Sequence, residues 1–235
     1  MNNPWIIIPT YNEKDNISRL IDHLFTLALD NLTILVVDDN SPDGTSKIIQ
    51  RLQDQYPKLD LIVRDKKAGL GPAYIHGFTY ALDHGATRLV QMDADFSHDP
   101  KDVPRLLTNL DQHDLVIGSR FSQGISVINW PLRRLLLSIA ANFYVSLITG
   151  MPFKDSTGGF KAWRASTLKA INLKNIKADG YGFQVITNHR TWKLRNKIKE
   201  IPIIFTERHD GQSKMSNKII WEAIWLVWKL RFGLS

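Results

Sequence analysis

The chain contains no cysteine. Disulfides, a thiolate nucleophile and Cys-ligated zinc are thereby excluded, and the composition suits a reducing compartment such as the cytosol. No run of about 18 uninterrupted apolar residues is present, the length a membrane-spanning helix needs. Met1 is followed by polar residues and one short apolar run, residues 5–8, so no secretory leader is expected. Internal repeats and low-complexity segments are absent. So is any basic run interleaved with stacking aromatics, which argues against nucleic acid as the partner.

What is present is a net charge of +7 on 235 residues, of which 43% are hydrophobic and 23% charged. That is the balance of a folded protein, and the length fits one large α/β domain, alone or with a short appendage. The sequence pI of about 9.5 favours anionic partners, either phosphorylated ligands or an acidic membrane face.

The first half alternates short β-branched runs with amphipathic stretches. Residues 5–8, 32–37, 59–63, 88–92 and 115–118 read as strands. Residues 16–29, 46–55, 71–84 and 104–111 read as helices between them. This alternation predicts a mostly parallel sheet covered on both faces, with ligands at the carboxyl ends of the strands. In the second half, residues 130–149 form a long apolar helix opened by Pro131, residues 200–205 a strand, and residues 217–232 a tryptophan-rich final helix.

Three acidic or polar segments fall at expected strand ends. They are Pro9-Thr10-Tyr11-Asn12-Glu13, Asp38-Asp39 and Asp93-Ala94-Asp95. The last is a D-x-D, whose two carboxylates form a hard-oxygen site for Mg²⁺ or Mn²⁺. Alone, the pattern also describes a solvated acidic turn. Asp43-Gly44-Thr45-Ser46 reads as a turn and helix cap. That leaves Asp38 and Asp39 without a role, and carboxylates converging at one sheet edge need a cation or hydrogen-bond donors. A nucleotide offers both.

Together with Gly69-Leu70-Gly71, Ala73-Tyr74-Ile75-His76-Gly77, Gly118-Ser119-Arg120, Thr157-Gly158-Gly159-Phe160, Gly180-Tyr181-Gly182-Phe183-Gln184 and Arg208 followed by Gly211-Gln212-Ser213-Lys214, these segments resemble the inverting family 2 glycosyltransferases. More narrowly they resemble the dolichyl-phosphate (polyprenyl-phosphate) mannose synthases, over about residues 5 to 216. The resemblance implies a GT-A nucleotide-diphospho-sugar transferase fold in residues 1–216, Mg²⁺ or Mn²⁺ as cofactor, and GDP-mannose as donor. The implied donor contacts are Pro9, Tyr11, Glu13, Val37, Asp39, Asp93, Ala94, Asp95, Arg208 and Lys214, with Asp93 and Asp95 as the metal ligands. Where many relatives carry Gln two residues after the second Asp, this chain has Ser97.

Between Pro131 and Thr149 the polar residues Arg134, Ser138, Asn142 and Ser146 recur at i, i+4, i+8 and i+12, one stripe on an apolar helix. Near the helix start a guanidinium and a hydroxyl suit a phosphate; a core helix with a solvated stripe shows the same pattern. The resemblance implies that Arg120, Arg134 and Ser138 hold the phosphate of a polyprenyl acceptor, with Asp95, Arg120 and Arg134 as the catalytic residues. Asp155, just before Ser156-Thr157-Gly158-Gly159, reads as a loop or capping residue, with a site role as the alternative. A membrane-anchored partner subunit is compatible with the resemblance. A sister enzyme using another nucleotide sugar, such as UDP-glucose, carries the same motifs, and an inactive binding subunit is argued against by the intact acidic and basic residues.

In residues 217–235, Lys218, Glu222, Trp225 and Lys229 share one stripe beside Trp221 and Trp228. This predicts an amphipathic helix lying in the plane of a membrane surface. The rival is a helix docked on the core or on a partner subunit, and on sequence alone both bury the same face. The expected location is cytoplasmic and peripheral to a membrane.

Overall fold

A computed structural model describes residues 2–207 and 217–233, with the backbone alone over 217–223. Strands β1 (Pro4–Thr10), β2 (Thr33–Asp38), β3 (Leu59–Val63) and β4 (Arg88–Gln91) pair in parallel. Helices α1 (Ile17–Thr26), α2 (Thr45–Gln53) and α3 (Leu70–Asp83) connect them, as the alternation predicts. Then come α4 (Val103–Asn109), β5 (Leu115–Ser119), the two-residue β6 (Val127–Ile128), α5 (Leu132–Thr149), β7 (Lys161–Arg164), α6 (Ala165–Ala170), α7 (Gly180–Lys193), β8 (Ile198–Pro202), β9 (Phe205–Thr206) and α8 (Asn217–Arg231).

The sheet runs β3-β2-β1-β4-β7-β5-β8. Strand β7 lies antiparallel between β4 and β5; every other pairing in this sheet is parallel. The strand expected over 200–205 divides in two. Its first part belongs to β8 beside β5, and after Pro202 and two isoleucines the chain leaves to pair β9 with β6 in a second, two-stranded sheet.

Alternation along the central strands builds a core on each face. Ile7, Leu35, Val37, Leu89 and Ile117 meet Tyr74 and Phe78 of α3, Phe183 and Ile186 of α7 and Leu168 of α6. Ile6, Ile8, Ile34, Val36 and Val90 meet Ile17, Leu20, Ile21 and Leu24 of α1, Ile49 of α2 and Leu106 of α4. Each fully buried side chain of this kind contributes about 1.5–3 kcal/mol. Helix α3 approaches the sheet at Gly77, where a Cβ would lie 2.5 Å from Ile7 Cγ2 and 3.0 Å from Val37 Cγ2.

The polar stripe of α5 faces inward rather than to solvent. Asn142 is buried, its Oδ1 accepting from Ser156 N at 2.7 Å and its Nδ2 donating to Thr157 Oγ1 at 3.2 Å, while Ser146 Oγ donates to Met151 O at 2.8 Å. Leu132, Leu136, Leu137, Phe143 and Leu147 are left exposed on the other side. By length and composition alone α5 could cross a membrane, although Arg133 and Arg134 interrupt its apolar run.

Helix α8 corrects the expectation that both readings of the C-terminal helix bury one face. Val227 and Leu230 are buried in the core, and Tyr144 of α5 donates to Ile224 O at 3.3 Å. Trp225 (65% exposed), Trp228 and Phe232 (68%) stay outside. The helix docks on the protein with one face and presents its aromatics with another. The side chains of Lys218, Trp221 and Glu222 lie outside the described residues.

Candidate active site

Two loops at the carboxyl ends of β1 and β2 are stitched together by side chains. Asp38 is fully buried and accepts from Thr10 Oγ1 at 2.8 Å, Ser41 N at 2.8 Å and Ser41 Oγ at 2.6 Å. Ser41 Oγ accepts Asn12 N at 3.0 Å, and Thr45 Oγ1 accepts Glu13 N at 3.0 Å. Asp43 Oδ1 accepts Thr45 N at 3.0 Å and its Oδ2 accepts Lys14 N at 3.1 Å, so it caps the turn as its sequence context indicates. Asp38 therefore builds the loops that carry Pro9, Tyr11 and Glu13.

Asp39 faces the next loop. Its Oδ2 accepts Ala68 N at 3.1 Å, and Arg64 Nη1 stands 2.8 Å from its Oδ1. Lys67 Nζ lies 3.6 Å above the Tyr11 ring. Tyr11 with Lys67, and Asp39 with Arg64 and Ala68, thus join the loops that follow β1, β2 and β3.

The D-x-D lies in a bend beyond β4, not in extended backbone, so strand alternation does not orient its carboxylates. Other groups do. Tyr74 donates its hydroxyl to Asp93 Oδ1 at 3.1 Å. Burial, then the charge of Asp93, pushes the Tyr74 hydroxyl well above its ordinary range, so it remains a donor. Asp93 N donates to Nδ1 of buried His98 at 3.2 Å. Burial, aided by Arg120, holds the His98 ring below its usual range against the pull of Asp93 and Asp95, which keeps Nδ1 free to accept. Asp95 Oδ1 accepts Ser97 Oγ at 2.6 Å and Ser97 N at 3.1 Å, so Ser97 supports the carboxylate. Between them Phe96 has φ 58°, a left-handed conformation that costs a bulky residue about 1–3 kcal/mol. Arg19, 4.5 Å above the Phe96 ring, and the edge of His23 hold it there.

A third loop closes on the D-x-D. A Cβ on Gly159 would stand 3.6 Å from Asp93 Oδ2, 3.7 Å from His98 Cε1 and 3.7 Å from Gln184 Nε2. This loop opens with Asp155, which is not a cap but the buried counter-ion of Arg120. Arg120 Nε donates to Asp155 Oδ2 at 2.7 Å, Nη2 to Oδ1 at 2.5 Å and to Thr157 Oγ1 at 2.9 Å, and the Arg120 backbone N–H to Oδ2 at 2.9 Å. Burial alone would raise the Asp155 carboxyl; the guanidinium outweighs it and holds the group below the usual carboxylate range. Behind them, burial pushes the Lys161 amine well down, and its Nζ donates to Gln184 O at 3.2 Å.

The expected acceptor residues gather around Trp130. The Arg134 guanidinium lies 4.3 Å and that of Arg120 5.3 Å from its ring. Arg134 is ion-paired to Glu207, and Ser138 is half-buried one turn further along α5. Phe205 links the two groups, with its ring 5.4 Å from that of Trp130 and 5.4 Å from that of His98. Arg208 and Lys214 lie outside the described residues.

Sequence reasoning missed Tyr74, His98 and Glu207 as site-builders, and left Asp155 as an alternative to a loop or cap. Tyr74 and His98 lie beside recognised motifs, a usable signal. Asp155 and Glu207 have none, since their partners are far along the chain. Chemically, the contacts join two carboxylates at one end to two arginines at the other. Two carboxylates fit a Mg²⁺ or Mn²⁺ ion that takes its remaining ligands from water and a diphosphate.

Residues 5–171 match the model of the family described as Glycosyl transferase family 2. The undecaprenyl-phosphate mannosyltransferase of Micrococcus luteus is 44% identical over 229 residues, which is 97% of this chain and 93% of the relative. The polyprenol monophosphomannose synthase of Mycolicibacterium smegmatis is 43% identical over 98% of this chain and 88% of its own length. Among solved structures, glucosyl-3-phosphoglycerate synthase from Mycobacterium tuberculosis, in complex with Mn²⁺, UDP and glucosyl-3-phosphoglycerate, superposes with a TM-score of 0.70 at 17% identity. It covers 100% of this chain and 81% of that one, a likeness in fold alone.

Proposed function

This chain belongs to glycosyl transferase family 2, among its polyprenyl-phosphate mannosyltransferases, and from that premise we propose that it moves mannose from GDP-mannose to a polyprenyl phosphate with inversion at the anomeric carbon. The observation that carries this reading is the chain of contacts from Asp93 and Asp95 through His98, Phe205 and Trp130 to Arg120 and Arg134. The experiment is incubation with labelled GDP-mannose, UDP-glucose or UDP-GlcNAc and a polyprenyl phosphate, followed by counting label in the organic phase. Label from GDP-mannose alone is expected; label from a UDP-sugar alone would replace the donor assignment.

The nucleophile is a phosphate monoester with a second pKa near 6, so it is ionised at neutral pH and no strong protein base is needed. The demanding task is charge on the departing diphosphate. Mg²⁺ or Mn²⁺ held by Asp93 and Asp95 would supply Lewis-acid stabilisation there. Tyr74 and Ser97 fix those carboxylates, and His98 holds the backbone N–H of Asp93. Tyr11 and Asp39 are assigned to the nucleoside, and Arg208 and Lys214 to the diphosphate. Arg134 with Ser138 orients the acceptor phosphate and offsets repulsion between the two phosphate groups. Arg120, whose charge Asp155 balances, is assigned to the acceptor phosphate beside Arg134 and braces the loop at Thr157.

Arg134→Ala is expected to raise KM for a prenyl phosphate at least about tenfold, the scale of one lost charge-assisted contact. Calorimetry with GDP should register little change. A collapse of GDP affinity instead would move Arg134 to the donor.

The exposed apolar residues of α5 and α8 support a peripheral position at the cytoplasmic face of a membrane, with the acceptor's chain meeting that surface. Trp225→Ser with Phe232→Ser should reduce sedimentation with anionic vesicles and leave the melting temperature nearly unchanged. Leu230→Ala, on the docked face, should instead cost about 2–5 kcal/mol of stability. Undiminished sedimentation of the first variant would remove α8 from the membrane contact.

A further inference from the structure

Arg134 is not bare. Glu207 Oε1 accepts from its Nη1, and the second carboxylate oxygen, Oε2, is buried and has no hydrogen-bond partner among the described residues. Glu207 is held in place by its backbone, whose N–H donates to Ile128 O at 3.0 Å just beyond the pairing of β6 with β9. Trp130 lies against the Arg134 guanidinium, and the edge of Phe205 lies against Trp130. The arginine assigned to the acceptor phosphate therefore carries a resident anion of charge −1 in a walled site.

An anion that takes the place of Glu207 must interact with Arg134 more favourably than the carboxylate does, because only a differential affinity shifts such an exchange. A prenyl phosphate monoester at neutral pH carries close to two negative charges. A phosphodiester head group, the commonest anion at a membrane surface, carries one. Exchange of one single charge for another gains no Coulomb energy at Arg134 and exposes the Glu207 carboxylate unpaired. Exchange for a dianion gains.

We propose that Glu207 is a specificity-determining residue, a built-in monoanion on Arg134 that the dianionic phosphate of a prenyl phosphate displaces and that singly charged phosphodiester head groups do not. The proposal rests on the reading that Arg134 meets the acceptor phosphate. It makes Glu207 antagonistic to acceptor binding while protecting the site from surrounding lipid.

The test uses farnesyl phosphate as acceptor and soluble dihexanoyl phosphatidylglycerol as competing phosphodiester, with the full chain. In the wild type, transfer should resist the diester at concentrations where phenyl phosphate, a dianionic monoester, inhibits. Glu207→Gln keeps the shape and removes the charge; KM for farnesyl phosphate should fall roughly 3- to 10-fold, and inhibition by the diester should appear. KM for GDP-mannose should hold. Glu207→Asp, which restores the charge, should restore resistance. In Arg134→Ala, the added Glu207→Gln change should have no further effect on either reading. An unchanged or raised KM in Glu207→Gln with no gain of diester inhibition overturns the proposal, as does equal inhibition of the wild type by both anions, a result that needs no variant. If Arg134→Ala itself leaves KM for farnesyl phosphate unchanged, the assignment of Arg134 to the acceptor fails, and the proposal with it.

Discussion

Asp95→Asn is expected to lower kcat/KM about 100- to 1000-fold while leaving the fold intact. The magnitude is that of removing one electrostatic stabiliser of developing charge from a preorganised site. The structure explains why the fold should tolerate the change. Asp95 is only partly buried, and asparagine keeps an oxygen able to accept Ser97 Oγ and Ser97 N. What it loses is the negative charge that draws a divalent cation. Excess Mg²⁺ or Mn²⁺ should therefore recover part of the lost rate, and the concentration of metal needed for half-maximal activity should rise. Wild-type activity should vanish in EDTA and return with either ion. The checks are a metal titration of initial rates and a melting curve for each protein. Full wild-type turnover in EDTA would end the metal assignment.

Asp155→Ala should cost about 3–5 kcal/mol of stability, enough to threaten folding at ordinary temperature. The carboxylate is fully buried, and it neutralises an Arg120 guanidinium that is itself almost wholly buried. Removing one partner of such a pair strands an uncompensated charge in a low-dielectric interior. Three donors on Arg120, the backbone N–H, Nε and Nη2, lose an acceptor together. Arg120→Met combined with Asp155→Leu should cost less than either single loss, because it removes the stranded charge. The pair also sets a pH dependence. The Asp155 carboxyl is held below its ordinary value in the folded protein, so its contribution is fully present above about pH 4 and is lost as pH falls through the lower, folded value. Urea denaturation of the single and double variants at pH 7, with the wild type repeated between pH 3 and 7, measures all of this. A single variant as stable as the wild type would show that the ion pair contributes nothing.

The N-terminal half of the molecule was legible because its signals are local. Strands β1 to β4 are apolar runs with turns at their ends, and the helices between them carry apolar residues at helical spacing, so Pro9 to Glu13, Asp38-Asp39 and the D-x-D could be placed at one sheet edge. The stripe on α5 was legible as a period, but its direction was not. A polar stripe with apolar flanks suits solvent as well as a polar cleft, and only the contacts of Asn142 and Ser146 decide the matter. Strand β7 was missed for a different reason. It has four residues, begins and ends on basic ones, and is sandwiched between two strands, so it shows neither length nor alternation. Asp155 looked like a loop residue because Ser-Thr-Gly-Gly follows it. Nothing nearby in sequence announces that Arg120 will lie opposite.

The position of β7 also orders the making of the protein. Strands β1 to β3 find all their partners among β1 to β4, and every one of these four has been synthesised by residue 91. Strand β5 has no neighbour in the sheet except β7 and β8, both later in the chain. A nascent chain can therefore close its N-terminal half early, while β5 and the free edge of β4 wait for residues 161–164 to leave the ribosome. Waiting edges of this kind are where chains pair with the wrong neighbour. Shortening that interval, for instance by faster elongation between residues 119 and 161, should raise the yield of soluble protein more than any change upstream of β4.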